Sequence, residues 1–396
     1  MDVIHPIKQP IRVLQIVSGI DIGRLSGGAE YFALRLALNL DPTGFLSAVF
    51  SLSTNNGASE TDWRDQLERQ QILLYNSKSD DVSALSRTAA LHKSYQKCLD
   101  SFCPHIVTSH SERADLLNIA GKLFHPTHPR SVRTVHIDQQ WKTHPKLGTL
   151  FENLCAPIAF DGEIAVSATI QTIMRRRWLA RLLQKDAQIY YNGIDKALFT
   201  SPNEPIPIPP GIPSQRPLVI CVGRLTEQKG HRYLISAMQA VIRRQPVHLL
   251  LIGAGPLEGE LRQQVKTLHL EEFVHFLGWR NDVVHILPHA DLFVSASLWE
   301  GLPTVLLEAM AKCVPVIATR VSGSQELVVD KQTGLLVDPN NEGALEDAIC
   351  WALDHPVQIR QFAQNAFERA QKYTFDNTVA QFSDLYSHLA QNRAEN

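Results

Sequence analysis

The chain has 396 residues, too many for one ordinary core, so two or three domains are expected from length alone. Thirty-eight Lys and Arg stand against 40 Asp and Glu, a formal net charge of −2, so no overall basic field exists to hold a nucleic-acid backbone. Hydrophobic residues at 44% with 20% charged residues exclude a disordered chain, a fibre and a coiled coil.

In chain order, Arg12–Val17 reads as a buried strand, followed by a glycine-studded loop and an apolar-periodic helix over Ala29–Leu40. Ser47–Leu52, His105–Ser109 and Ser131–Val135 read as further strands with helical segments between them. Seven prolines then crowd residues 201–217, which cannot continue a helix or a central strand and mark a linker between domains. Beyond it the alternation restarts: strand Leu218–Val222, helix 231–244, strand Val247–Ile252, helix 257–268, then strands Val274–Leu277, Leu292–Ser295 and Pro315–Ala318. Alternating strands and helices predict doubly wound parallel sheets, one per domain. Ligands of such sheets bind beyond the carboxyl ends of the strands, and two linked domains suggest a cleft between them.

The six cysteines form no CxxC pair and no metal-like spacing, which reads as a reduced, cytoplasmic chain. The first 19 residues carry charges and prolines that interrupt any signal-peptide core, and no run of 18 apolar residues is present. No H-E-x-x-H, Asp-x-Asp or Cys/His pattern occurs, so no metal is expected.

Four segments carry chemistry. In 299–311 Pro303 suits a helix first turn, and the apolar run after it predicts a buried helix with Glu308 as its single charge. A buried carboxylate needs hydrogen-bonding partners, which ligand hydroxyls supply, and the backbone N–H groups at the helix start suit phosphate oxygens. The bland alternative is a salt-bridged Glu308 with Glu300 on the surface. In 222–231, Arg224 and Lys229 stand five residues apart in a Gly-flanked loop, suited to a diphosphate but equally to solvent. Gly27 and Gly28 open the first long helix, where a tight turn brings backbone N–H groups toward an anion or serves geometry alone. Gly253-Ala-Gly255 after a strand resembles a dinucleotide fingerprint, with Glu271 and Glu272 near the ribose-contact distance, but its glycine spacing is wrong. His110 and His136 each end a strand, where a ligand-contacting or a purely structural histidine is expected. Residues 170–185 read as one amphipathic helix with Trp178 and a cationic face, able to lie on anionic lipid or to pack on its own domain.

Taken in order, Gly27-Gly28-Ala-Glu30, Tyr191-Asn-Gly-Ile-Asp195, Gly223-Arg224-x4-Lys229-Gly230, Ile252-Gly-Ala-Gly-Pro-Leu257, Phe276-Leu-Gly-Trp279, Glu300-x7-Glu308, Val321-Ser-Gly-Ser-Gln-Glu326 and Thr333–Pro339 resemble family 4 retaining glycosyltransferases over nearly the whole chain. The resemblance implies a GT-B fold, two Rossmann-like doubly wound α/β domains facing a central cleft. It places an acceptor-side domain at 1–200, a linker at 201–217, a nucleotide-sugar domain at 218–375 and a last helix from 376 that crosses back to the first domain. It implies a metal-independent, retaining transfer of a hexosyl unit from a UDP- or GDP-linked sugar, with no other cofactor, to a sugar, glycolipid or small molecule. Arg224 and Lys229 would bind the diphosphate, Glu308 the ribose and Glu300 the sugar hydroxyls. Gly301, Leu302, Thr304 and Val305 would cap sugar and phosphate, while Gly253 lies in the nucleotide loop and Trp279 with Arg280 holds the base. Gly27 and Gly28 would approach phosphate, His136 would lie by the transferred sugar, and His110 falls on the acceptor side. Pro303 departs from the Gly-Phe-Gly of many members and removes one N–H. A sugar phosphorylase, a nucleotide-sugar epimerase and a catalytically silent nucleotide-sugar-binding subunit share these features; a nicotinamide-dependent oxidoreductase shares fewer. The resulting expectation is a cytoplasmic protein without nucleic-acid partners that can touch the inner face of a membrane through 170–185.

Overall fold

The computed structural model describes residues 9–22, 27–54, 57–77, 84–137, 141, 143–200 and 216–394. The proline-rich residues 201–215, together with Ser26 and Asp138, lie outside them. The chain divides into two compact units. One comprises residues up to Val166 with Gln171–Tyr190 and Val379–Asn396; the other comprises Ser167–Ile170 and Tyr191–Thr378.

Among the described residues, the N-terminal unit holds seven strands: β1 (Ile11–Val17), β2 (Phe45–Ser51), β3 (Leu73–Asn76), β4 (Ile106–Ser109), β5 (Arg130–Val135), β6 (Gly162–Ala165) and β7 (Gln188–Ile189). They form one sheet in the order β3-β2-β1-β4-β5-β6-β7, with every neighbouring pair parallel. Strand β1 is buried from Val13 to Val17, which explains why its run is apolar but for Gln15: helices cover both faces of a parallel sheet. The second unit holds β8 (Leu218–Val222), β9 (His248–Ile252), β10 (Val274–Gly278), β11 (Leu292–Ser295), β12 (Val316–Thr319) and β13 (Leu335–Val337), ordered β10-β9-β8-β11-β12-β13 and again all parallel. In each sheet the chain winds outward one way from its first strand and then returns to that strand's other side. The strand order therefore reverses between β1 and β4, and between β8 and β11, and at such a point the loops beyond the carboxyl ends part to leave a crevice.

The helix Phe375–Ala394 begins in the second unit and from Val379 onward belongs to the first. Its Tyr386 is fully buried there.

Residues 170–185 are not one amphipathic helix. They fold as two short helices, Ala168–Arg175 and Trp178–Leu182, broken at Arg176 and Arg177. The break has an electrostatic cause: Arg177 is buried, and its guanidinium makes paired hydrogen bonds of 2.8 and 2.7 Å to Glu163. A cation placed on the solvent face by helical periodicity is thus an internal one.

Arg177 belongs to a buried ionic cluster beneath β4, β5 and β6. Arg133, with no exposed surface, lies 3.3 Å from Asp115, 2.7 Å from Glu152 and 3.5 Å from Glu163. Burial pushes the Asp115 carboxyl up to about 7 despite Arg133 beside it. A carboxyl whose folded-state value is raised stabilises the fold at low pH and loses that contribution as pH rises through the folded value. Asp115→Asn removes the titration. Urea unfolding at about pH 5 and about pH 8 is expected to show the wild type losing stability relative to the variant as pH rises; a gain would contradict the placement of Asp115.

Candidate nucleotide-sugar site

The site begins at the β8/β11 reversal. Strand β8 delivers the loop 223–230, and β11 delivers the loop 296–303. The two loops are tied side by side: Lys229 Nζ lies 2.5 Å from Glu300 Oε1, and Gln228 Nε2 donates to the Trp299 carbonyl at 3.0 Å. The Leu298 amide donates back to the Gln228 carbonyl at 2.7 Å. Glu300 is buried and also accepts from Ser297 Oγ at 2.7 Å. The ion pair joins the two most informative segments of the sequence into one constellation.

Two glycines from neighbouring segments let further backbone pack closely against these loops. Gly253, just past β9, has φ +144°, and a Cβ there would lie 2.0 Å from the Gly223 carbonyl oxygen. A Cβ on Gly323 would meet the Gly301 oxygen at 2.1 Å, so the segment before the next helix rests backbone to backbone on its neighbour. The Gly253 amide also donates to the Gly278 carbonyl at 2.8 Å, which brings the 278–280 turn alongside.

That next helix is Thr304–Ala311, and Pro303 stands at its cap rather than in its first turn. Leu306, Leu307, Ala309, Met310 and Ala311 are buried, while Thr304, Val305 and Glu308 form a half-buried strip. Glu308 is therefore not the buried charge its sequence surroundings suggest. Helical spacing puts Thr304 and Glu308 one turn apart on the strip that the core leaves uncovered. Gly301 and Leu302 are buried.

The electrostatics of this corner are cationic on the β8 side. Arg224 is half-buried, and its Nε has no hydrogen-bond partner among the described residues. His231, 1% exposed, likewise has neither ring nitrogen bonded, and burial with Lys229 nearby lowers it to about 4, so it adds no charge at neutral pH. Unpartnered buried donors are uncommon in native folds. Arg280 is occupied locally by a two-bond pair with Asp282, and Trp279 is partly exposed beside it. Glu271 and Glu272 precede β10 and so lie at the amino end of the sheet, which removes the acidic residue a dinucleotide fingerprint needs at a strand's carboxyl end.

In the N-terminal unit, His110 and His136 stand one residue past β4 and β5 and are hydrogen-bonded to each other at 3.0 Å. Gly28 begins the helix Gly28–Asn39, and the Gly27 amide donates to Glu30 Oε2 at 2.9 Å, so a carboxylate of the chain already caps that helix start. Sequence reasoning missed Gln15, which bonds His110, although a lone amide inside Val-Leu-Gln-Ile-Val was its visible signal. It also left Glu326 without a role. The Glu326 carboxylate accepts from the Ala168 and Thr169 amides, both at 2.9 Å, at the start of helix Ala168–Arg175. Among the described residues no group of three or more His, Cys, Asp or Glu side chains is arranged to hold a metal ion, and no helix is long and apolar enough to cross a membrane.

Known proteins resemble the chain in sequence over its second half and in fold over nearly its whole length. Residues 182–369 match the family described as glycosyl transferases group 1. The chain is 32% identical over 216 residues to the D-inositol 3-phosphate glycosyltransferase of Corynebacterium glutamicum, covering 52% of this chain and 50% of that protein. It is 30% identical over 204 residues to the N-acetyl-alpha-D-glucosaminyl L-malate synthase of Bacillus anthracis, covering 51% and 54%. The chain thus spans about half the length of the curated relatives it matches. Among solved structures, HepE of Anabaena in complex with UDP and glucose superposes with a TM-score of 0.78 at 21% identity, over 96% of this chain and 100% of that one. Sucrose-phosphate synthase of Thermosynechococcus elongatus gives a TM-score of 0.77 at 20% identity, over 96% and 99%. Residues 182–369 are thus similar to the glycosyl transferases group 1 family, and the two Rossmann-like α/β units share the GT-B fold of these solved structures.

Proposed function

We propose that the chain is a retaining glycosyltransferase that moves a hexosyl unit from a nucleoside-diphosphate sugar to a carbohydrate or lipid-linked acceptor. The observation that carries the reading is the gathering of Arg224, Lys229, Glu300 and the start of helix Thr304–Ala311 at the β8/β11 reversal, with Glu308 one turn further on. In this reading Arg224 and Lys229 bind the diphosphate, Glu300 takes sugar hydroxyls and Glu308 takes the ribose. The half-exposed Thr304 and Val305 begin the capping helix, Gly253 keeps the nucleotide loop close, and Trp279 with Arg280 faces the base. The match of residues 182–369 to glycosyl transferases group 1, the GT-B fold and the relatives that bear glycosyltransferase names support it.

The chemistry follows from charge. Breaking the anomeric C–O bond leaves positive charge on the sugar ring and an added negative charge on the departing diphosphate. Two fixed cations and a helix N-terminus answer that negative charge more strongly in the transition state than in the ground state. With attack on the face the diphosphate leaves, the leaving oxygen accepts the acceptor hydroxyl's proton and configuration is retained. Lys229→Ala or Glu308→Ala is expected to lower transfer about a hundredfold or more in a donor-consumption assay across UDP- and GDP-sugars. An undiminished rate contradicts the site; dependence on orthophosphate, or product formed without acceptor, identifies a phosphorylase or an epimerase instead.

We further propose that the N-terminal unit is the acceptor side of a cytoplasmic protein and rests on anionic lipid. Around the break at Arg177, Trp178 is 54% and Leu182 71% exposed, with Leu147, Leu150, Ile158, Ile173 and Leu183 also exposed. Between 143 and 185 the exposed charges are Lys146, Arg175, Arg176, Arg181 and Lys185, all cations. Asp186, just beyond, pairs with Arg175 at 3.2 Å. Apolar side chains among cations suit a headgroup boundary. Pelleting with phosphatidylglycerol-containing vesicles is expected, and it should fall severalfold for the Trp178→Ser, Leu182→Ser double variant; absence of pelleting at low salt contradicts the surface.

A further inference from the structure

Four buried polar groups and one half-buried histidine of the N-terminal unit form a single hydrogen-bonded chain. Thr108 Oγ1 lies 2.8 Å from Tyr386 Oη, Gln15 Nε2 3.3 Å from the same oxygen, Gln15 Oε1 2.8 Å from His110 Nε2, and His110 Nδ1 3.0 Å from His136 Nε2. Gln15, Thr108 and Tyr386 have no exposed surface, and His110 is 3% exposed. The ring of Phe32 lies 5.8 Å from the His110 ring and 5.1 Å from the His136 ring, closing the apolar side. No carboxylate among the described residues hydrogen-bonds either imidazole.

The chain has a direction. Burial holds His110 well below its ordinary value and His136 at about 3, so at neutral pH each ring carries one N–H. Gln15 Oε1 can only accept, so His110 Nε2 donates and its Nδ1 keeps a lone pair. That lone pair accepts from His136 Nε2–H, the one hydrogen bond of His136 to a described residue, leaving its Nδ1 as an acceptor. Distances favour this order over the reversed one. With the amide turned over, the 2.8 Å contact becomes N–H···N, which is short for that pair, and the 3.3 Å contact becomes O–H···O, which is long.

We propose that Gln15 and His110 are positioning residues: anchored by Tyr386, they lock His136 as its Nε2–H tautomer, so that His136 presents Nδ1 as a hydrogen-bond acceptor to a ligand hydroxyl. That the hydroxyl belongs to a carbohydrate rests on the transfer reading above; the tautomer does not. Second partners of this kind commonly fix which nitrogen of a functional histidine is protonated. The arrangement also ties the strand-end histidine to the C-terminal helix, whose Tyr386 lies 371 residues from Gln15 in sequence.

The test is long-range 1H–15N correlation spectroscopy of the full chain labelled with 15N-histidine, with His110→Gln and His136→Gln used for assignment. Both rings are expected as Nε2–H tautomers, unchanged from about pH 8 to about pH 5.5. An Nδ1–H tautomer at His136, or an imidazolium in that range, overturns the proposal. Gln15→Glu keeps an acceptor but favours a protonated His110, whose Nδ1–H then faces His136 and turns it to the Nδ1–H form. An unmoved His136 tautomer in that variant also overturns the proposal; if the variant does not fold, the wild-type spectrum alone decides. Gln15→Leu is expected to lower kcat about tenfold with the donor KM within about twofold. A chain inactive toward every nucleotide sugar but showing the expected tautomers refutes the transfer reading and leaves the relay standing.

Discussion

The Lys229–Glu300 ion pair is the interaction from which the second unit's site takes its form. It spans the one place in that sheet where neighbouring loops come from strands wound in opposite directions, so it links segments 71 residues apart that share no local geometry. Neither charge is in open water: the lysine side chain is 19% exposed and the glutamate 7%. A pair in such surroundings recovers little net stability against its desolvation, and its usual value is to fix geometry. Here it holds a cation and a carboxylate at contact distance beside the start of a helix. On the proposed reading, diphosphate oxygens and sugar hydroxyls take up those two charges separately, and the ion pair keeps each aligned for its part of the ligand.

The same architecture is used differently in the two units. In the second, the reversal point gathers charge: a guanidinium with an unpartnered Nε, a lysine and two glutamates. In the first, the residues beyond β4 and β5 are neutral imidazoles oriented by an amide and a phenol. Net charge near zero conceals this contrast, because the diphosphate corner and the internal Arg133–Arg177 cluster hold their own acids while the exposed basic residues of 146–185 are offset by acids elsewhere.

Much of this was legible in the sequence. Buried parallel strands are near-continuous apolar runs, so β1, β4, β8, β9 and β11 are read within a residue or two, and the glycine-flanked loops after β1, β8 and β9 are visible as motifs. What escaped has physical reasons. Strands β3 and β7 are four and two residues long and lie at the sheet edges, where little burial patterns them. Helical periodicity cannot distinguish Arg177, buried on Glu163, from the solvated arginines beside it. Glu308 looked buried because its neighbours are apolar, yet an eight-residue helix leaves one strip open and Glu308 is on it. The relay through Gln15 joins residues from β1, β4, β5 and the last helix, and no local spacing encodes such a contact.

The central claim is that Lys229 and Glu300 pair with each other and serve different parts of one ligand. Calorimetric titration of UDP and GDP into the wild type and Glu300→Gln tests it most directly. Because the amide no longer competes for the lysine, the account predicts that the variant binds the preferred nucleoside diphosphate as tightly as the wild type or a few fold more tightly while losing transfer. A variant that transfers sugar at the wild-type rate, or that loses nucleotide binding while remaining folded, would contradict it.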